Sequence, residues 1–232
     1  MTLNTLYLIP TTIAENSTQT IPTYIADAIT ICEIFVVENL KTARRFIKSI
    51  VKAKNIDKCI FIELDKHQNY KFDEQFFYTL KNKNIGLMSE AGTPCIADPG
   101  NKFVQLAHEL RWKIKPLVGP SSILLALMSS GFNGQQFSFN GYLPIDAKER
   151  RSKILELERY ANKNQTQIFM DTPYRNQKML EELLSNCNVN TKLCIACNLA
   201  ANDEWIKTLT IAEWKKQKVD VQKKPCIFIL GK

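Results

Sequence analysis

The sequence predicts an α/β fold built as two domains. Three observations carry this reading: short apolar runs recur along the chain, stretches with helical spacing separate them, and the series restarts after Val118. Leu3 to Ile9 is a β-type run that stops at Pro10, and Ile34 to Glu38 and Cys59 to Leu64 repeat the pattern expected of buried parallel strands. Between them, Asn39 to Lys54 places Leu40, Ala43, Phe46, Ile47, Ile50 and Val51 on one helical face, with Lys and Arg on the other, as a crossover helix requires. A helix near Phe72 to Leu80, a strand at Ile85 to Met88, a helix at Asn101 to Leu110 and a strand at Lys113 to Val118 complete an α/β domain over residues 1–117.

Residues 118–232 form the second expected domain. Gly-Pro-Ser-Ser leads into an apolar helical segment, Ile123 to Met128, whose start the serines are suited to cap. Strands are expected at Phe137 to Asn140, Gln167 to Met170, Lys192 to Cys197, Trp205 to Thr210 and Cys226 to Leu230, with helices at Lys148 to Tyr160 and Arg175 to Leu184. No solenoid repeat or low-complexity linker intervenes, so the halves are expected to pack closely and share a cleft.

Composition narrows the function classes. With 45% hydrophobic and 23% charged residues over 232 positions, the chain has enough apolar material for a substantial core and is neither disordered nor fibrous. No apolar run reaches the roughly 18 residues of a membrane span, and Met1 to Pro10 lacks the basic start of a signal peptide, so the expected location is the cytoplasm. Seven cysteines, an odd count, read as reduced core thiols. Cys194 and Cys197 form a lone CxxC, but a zinc ribbon needs a second pair and the only histidines, His67 and His108, stand far off; no metal is expected. A net charge of +8 points weakly to a polyanion, because 24 of the 31 basic residues are Lys and ordinary solvated helix faces account for clusters such as Lys148, Arg150, Arg151 and Lys153.

Glycine use marks the site. Average usage gives about 16 glycines in a chain of this length. There are 8, of which seven (Gly86, Gly92, Gly100, Gly119, Gly131, Gly134, Gly141) fall between residues 86 and 141. Tight turns and close backbone approach are what a loop wrapped around a ligand needs. The densest stretch, Ser89 to Gly100, leaves the C-terminal end of the fourth strand, the edge at which open α/β sheets bind ligands. Neither a Walker A ending nor a GxGxxG or GxSxG signature occurs, which disfavours phosphate cradling, ordinary dinucleotide binding and serine-hydrolase chemistry.

Ser89-Glu90-Ala91-Gly92-Thr93-Pro94-Cys95-Ile96-Ala97-Asp98-Pro99-Gly100 resembles the S-D-A-G-T-P-L-I-S-D-P-G pattern of the ribosomal RNA small subunit methyltransferase I type, within the tetrapyrrole methylase superfamily of S-adenosylmethionine-dependent methyltransferases. The resemblance continues in the same order through Gly119-Pro120-Ser121-Ser122, Phe137-Ser138-Phe139-Asn140-Gly141-Tyr142-Leu143-Pro144 and Asp171-Thr172-Pro173-Tyr174-Arg175. It implies a tetrapyrrole methylase-like architecture of two α/β domains with the cofactor cleft between them, the N-terminal one facing the substrate, and a homodimer. By motif match, Gly92, Thr93, Pro94, Cys95, Ile96 and Ala97 would contact the methionine and ribose of S-adenosylmethionine beside Ser121 and Ser122, while Leu199, Pro225 and Cys226 would border its adenine. Small side chains and freed backbone groups suit a zwitterionic methionine end.

Departures bear on the acceptor. Ile9-Pro10-Thr11-Thr12-Ile13-Ala14-Glu15 stands where the ribosomal type has an A-T-P-I-G-N-L-like loop, and Glu38-Asn39-Leu40-Lys41 where it has E-D-T-R. Lys224-Pro225 is closer to the corrin and porphyrin branch, whereas Ala91-Gly92-Thr93-Pro94 departs from that branch's G-G-D-P. The leading expectation is methylation of ribosomal RNA, or of a small-subunit particle, at a ribose 2′-hydroxyl, with Glu38 at a strand end as the candidate base. A tetrapyrrole or other small acceptor is the alternative, and an inactive RNA-binding homologue the third reading.

Overall fold

A computed structural model describes residues 4–64, 80 and 82–232, and the chain divides after Ser121 into two compact units. The helix expected near Phe72 to Leu80 lies, apart from Leu80, outside the described residues, as does His67. The first unit is a five-stranded parallel sheet of β1 (Thr5–Leu8), β2 (Ile34–Val37), β3 (Ile60–Glu63), β4 (Asn84–Met88) and β5 (Lys113–Pro116), in the spatial order β3-β2-β4-β1-β5. Its described helices are α1 (Ile25–Ile31), α2 (Leu40–Ile50) and α3 (Asn101–Glu109).

Alternation along the strands sorts the core into two faces. Tyr7, Ile9, Phe35 and Val37 pack with Ile25, Ala28 and Ile29 of α1 and Ala43, Phe46 and Ile47 of α2. Leu6, Ile34, Val36, Ile85 and Leu87 pack instead with Phe103 and Ala107 of α3. The chain leaving β2 travels toward β3, while the chain leaving its neighbour β4 travels the other way, toward β5. These two C-terminal ends therefore form a topological switch point, where the departing loops diverge and leave a crevice.

Two features differ from expectation. α1 occupies a stretch with no predicted element, because Ile25-Ala26-Asp27-Ala28-Ile29-Thr30-Ile31 is dominated by β-branched residues and only its packed face marks it as a helix. Cys59 to Leu64, expected to be a buried strand, is β3 at the edge of the described sheet: among the described residues it pairs only with β2, and Ile60 is 46% exposed. Arg44 of α2, bound to Asp57 at 2.9 Å, lies 5.7 Å over the Phe61 ring and covers part of that edge.

The second unit contains α4 (Ser122–Ser130), β6 (Phe137–Tyr142), α5 (Ala147–Asn162), β7 (Thr166–Met170), α6 (Asn176–Asn186), β8 (Lys192–Cys197), β9 (Trp205–Thr210), the one-turn α7 (Ile211–Trp214) and β10 (Cys226–Gly231). Its sheet, ordered β6-β7-β10-β8-β9, is mixed: β6 and β7 are parallel across the α5 crossover, and every other pair is antiparallel. Ile154, Leu157, Met179, Leu183 and Trp214 cover the face that carries Phe169, Ile195 and Phe228. The opposite parity, including Cys194, Ile227 and Ile229, is equally buried, and Thr208 of β9 donates to the Ser130 carbonyl at the end of α4 at 2.8 Å.

Arg150 of α5 fixes the corner after β6. Its guanidinium is buried, donates to the carbonyls of Pro144 and Ile145 at 3.0 and 2.6 Å, and pairs with Glu182 of α6. Arg150→Met is expected to lower stability at pH 7 by about 3–5 kcal/mol, because it strands a largely buried carboxylate. The hydrogen bond from Arg150 holds the Glu182 carboxyl below its ordinary range. A depressed carboxylate stabilises the fold above its unfolded-state pKa, and that stabilisation is lost as pH falls through the folded one. Urea unfolding of parent and variant should accordingly converge as pH drops below about 4.

Candidate active site

The C-terminal edge of the first sheet is assembled from loops that interlock at their backbones. Thr11, after β1, donates its N–H to the Gly92 carbonyl at 2.9 Å, and its hydroxyl donates to Ser89 O at 3.3 Å. Gly92 has φ +74°, and a Cβ there would stand 3.1 Å from both Ile13 Cγ2 and the Pro120 carbonyl oxygen. A Cβ on Gly119 would meet Pro10 Cβ at 2.1 Å. The loops after β1, β4 and β5 thus share space that no side chain can enter. At the switch point Glu38, half-buried at the end of β2, accepts the Glu90 N–H on Oε2 at 3.1 Å and ties the β2 end to the same loop.

Asp98 organises the rest of that loop. Its Oδ1 accepts from Gly100 N at 2.7 Å, the N–H groups of Cys95 and Ile96 also point to its carboxylate, and the buried Oδ2 has no hydrogen-bond partner. Burial is the largest influence on this carboxyl and raises its pKa above the ordinary aspartate value. The three N–H groups oppose the rise, and the charge of Glu38 adds to it. Cys95 and Ala97 hold φ +71° and +63°, conformations that L-residues adopt only when their surroundings impose them. Burial, aided by the Asp98 charge, pushes the Cys95 thiol up to about 12, so the loop offers a neutral sulfur at physiological pH. A cleft of about 440 Å³ opens beside this loop, walled by the segment from Thr11 to Thr18, by α2 from Thr42 to Ser49 and by Ser89, Glu90 and Ala91.

In the second unit, the C-terminal ends of β7 and β8 and the N-terminal end of β10 lie at one edge of the sheet. Asn198 donates to the Pro225 carbonyl at 2.9 Å, Cys226 is in register with Cys197, and Leu199 is buried beside the turn. Arg175 pairs with the buried Asp171, and Asn176 donates to Lys224 O at 2.6 Å while its own Oδ1 has no partner. Asn198, Ala200 and Lys223 all have positive φ. A hydrogen bond with Cys197 and burial both raise the Cys226 thiol, while the same hydrogen bond lowers that of Cys197.

No protein-family model matches the chain. Among curated proteins it is similar to the ribosomal RNA small subunit methyltransferase I of Vibrio cholerae, with 29% identity over 208 residues that cover 90% of this chain and 69% of that protein. The protein of the same name from Buchnera aphidicola is 33% identical over 177 residues, covering 75% and 61%, and that of Helicobacter pylori 29% over 192 residues, covering 77% and 65%. Over most of its length the chain is thus similar to proteins named ribosomal RNA small subunit methyltransferase I. It spans between 61 and 69% of the length of these three. Its fold is also that of a crystal structure of an Entamoeba histolytica protein assigned as a diphthine synthase, with TM-score 0.60 and 13% identity over 99% of this chain and 92% of that one.

The chain gathers Gly92, Thr93, Pro94, Cys95, Ile96 and Ala97 into one strained loop, ends its first unit at Ser121 and begins α4 at Ser122. Leu199, Pro225 and Cys226 meet at one sheet edge. Sequence reasoning quoted Asp98 within its motif and assigned it no role; its signal was the Asp-Pro-Gly that precedes α3. Asp98→Ala removes the acceptor shared by three backbone donors. Hydrogen exchange at Cys95, Ile96 and Gly100 is expected to quicken roughly tenfold or more, the equivalent of about 1.4 kcal/mol, while the amides of β2 keep their protection. Asp98→Asn, which retains one carbonyl oxygen, should fall between.

Proposed function

We propose that the chain is an S-adenosylmethionine-dependent methyltransferase acting on small-subunit ribosomal RNA at a ribose 2′-hydroxyl. The observation that carries the reading is the loop from Gly92 to Ala97: three of its residues hold left-handed backbone at a switch point, in a chain similar to proteins named ribosomal RNA small subunit methyltransferase I. The residues fit the cofactor. The absence of a side chain at Gly92 lets the Pro120 carbonyl and Ile13 close against the loop, and a neutral thiol and small side chains line the turn beside it. When bound, S-adenosylmethionine supplies a methyl group already activated by the sulfonium.

The chain's own work is then chiefly placement. We assign Gly92, Thr93, Pro94, Cys95, Ile96, Ala97, Ser121 and Ser122 to the methionine and ribose, and Leu199, Pro225 and Cys226 to the adenine. Holding an acceptor oxygen in line converts a bimolecular encounter into an oriented one. Glu38 is the assigned proton acceptor for the ribose hydroxyl, since Glu90 N–H already orients its carboxylate at the β2 end. Seven free cysteines support a reducing, cytoplasmic setting. Among the described residues no helix is long and apolar enough to cross a membrane. Assembly as a homodimer belongs to the same reading, with Leu124 and Met128, one turn apart on α4 and 56% and 78% exposed, as its candidate apolar contact.

Calorimetry with S-adenosylhomocysteine tests the site. Gly92→Val should abolish binding, through strain at positive φ and through the space the side chain would take. Ser121→Ala should weaken it three- to tenfold, the effect of one hydrogen bond worth about 0.5–1.5 kcal/mol. Circular dichroism should report both variants as folded, and Gly92→Val binding as tightly as the parent would overturn the assignment. For the acceptor, labelled cofactor should transfer its methyl to unmodified small-subunit RNA; a parent that binds S-adenosylhomocysteine yet leaves the RNA unlabelled refutes the substrate.

A further inference from the structure

The 440 Å³ cleft of the first unit has the volume of a small-ligand site, and Thr11, Thr12, Thr18, Thr42, Ser49 and Ser89 bring hydroxyls to its lining. Ile13, Ala14, Ala43 and Phe46 give it an apolar component. Two carboxylates, Glu15 and Glu90, also border it, so an anion is disfavoured inside, whereas an uncharged group rich in hydroxyl and N–H donors is favoured.

The wall formed by α2 carries an opposite charge on one stripe. Arg44 is engaged with Asp57, and Lys48 donates to the carbonyls of Lys52 and Lys54 at 3.0 and 2.7 Å. Arg45, by contrast, borders the cleft, is exposed, and has no hydrogen-bond or ion-pair partner among the described residues. Lys41, one turn earlier on the same face, is likewise exposed and unpartnered among them. A spacing of four residues sets these cations about 6 Å apart along the helix. Cations without a described partner beside an anion-disfavouring, donor-accepting cavity match a chain of nucleosides linked by phosphates: the nucleoside enters, and the phosphate stays at the mouth.

We propose that this cleft receives one nucleoside of the RNA strand, with Arg45 and Lys41 holding the phosphodiester beside it. The inference rests on the RNA methyltransferase reading above and adds to it the residues that grip the acceptor. Arg45's guanidinium offers a planar fork for two phosphate oxygens, and Lys41 a point charge.

The test is anisotropy of a fluorescent single-stranded oligoribonucleotide copied from small-subunit ribosomal RNA, titrated with the full chain over a salt series. Each phosphate contact contributes a slope of about 0.7 in log affinity against log salt for a single strand. Arg45→Ala should lower the slope by about that amount, a loss of roughly fivefold at 0.1 M relative to 1 M salt, and Arg45→Lys should restore most of it. Thr12→Trp, which fills the cleft, should weaken RNA binding while leaving the slope unchanged. Lys215→Ala, on an exposed stretch of the second unit, should behave as the parent. S-adenosylhomocysteine affinity should be the same in all, which reports that the variants are folded. If the parent labels RNA and binds S-adenosylhomocysteine, yet Arg45→Ala keeps the parent's slope or Thr12→Trp its affinity, this proposal is overturned and the methyltransferase reading stands. A parent that neither labels nor binds RNA overturns both.

Discussion

The loop edge of the first unit depends on steric contacts with little slack: Pro10 occupies the position a side chain on residue 119 would need, and the Pro120 carbonyl closes over Gly92. Because β1 lies between β4 and β5, the loops leaving all three strands reach one edge together. They nest only because two of the meeting points lack a Cβ. Once nested, the Thr11 N–H and hydroxyl find acceptors in the β4 loop, and the Glu38 carboxylate caps Glu90 from the neighbouring strand. The positive φ values of Cys95 and Ala97 are held by this surrounding frame together with Asp98, since nothing local favours them.

Much of this was legible in the sequence because strand burial leaves a coarse signal. Ile34 to Glu38 reads as a buried strand because it is apolar on both faces, and the apolar runs of the second unit mark β8, β9 and β10 to within a residue or two. The loop was legible for a different reason: a chain sparing in glycine concentrates it where backbones touch. What escaped was whatever depends on partners distant in sequence. α1 carries strand-like residues and becomes a helix through its packing on β-strands. β3 looks like a core strand until the sheet order makes it an edge.

The site followed the same division. Gly92 and its neighbours stood out as a motif, whereas Asp98 acquires its role only when three amides converge on it. Arg45 was one of 31 basic residues, indistinguishable by composition from Arg44 beside it. Only the fold separates them, by giving Asp57 to one and an open cleft to the other.

The strand order also bears on synthesis. β1 emerges first, yet both its neighbours lie far downstream, β4 beginning at Asn84 and β5 at Lys113. At about 5–20 residues per second, β1 waits roughly 4–15 s for its first ladder partner. β2, apolar on both faces, gains β3 sooner but cannot be enclosed until β4 follows. The nascent first unit therefore spends that interval with two unsheathed strands. Whatever attends the chain as it leaves the ribosome must shield Leu6 to Ile9 and Ile34 to Val37 until the loop that seals them has been made.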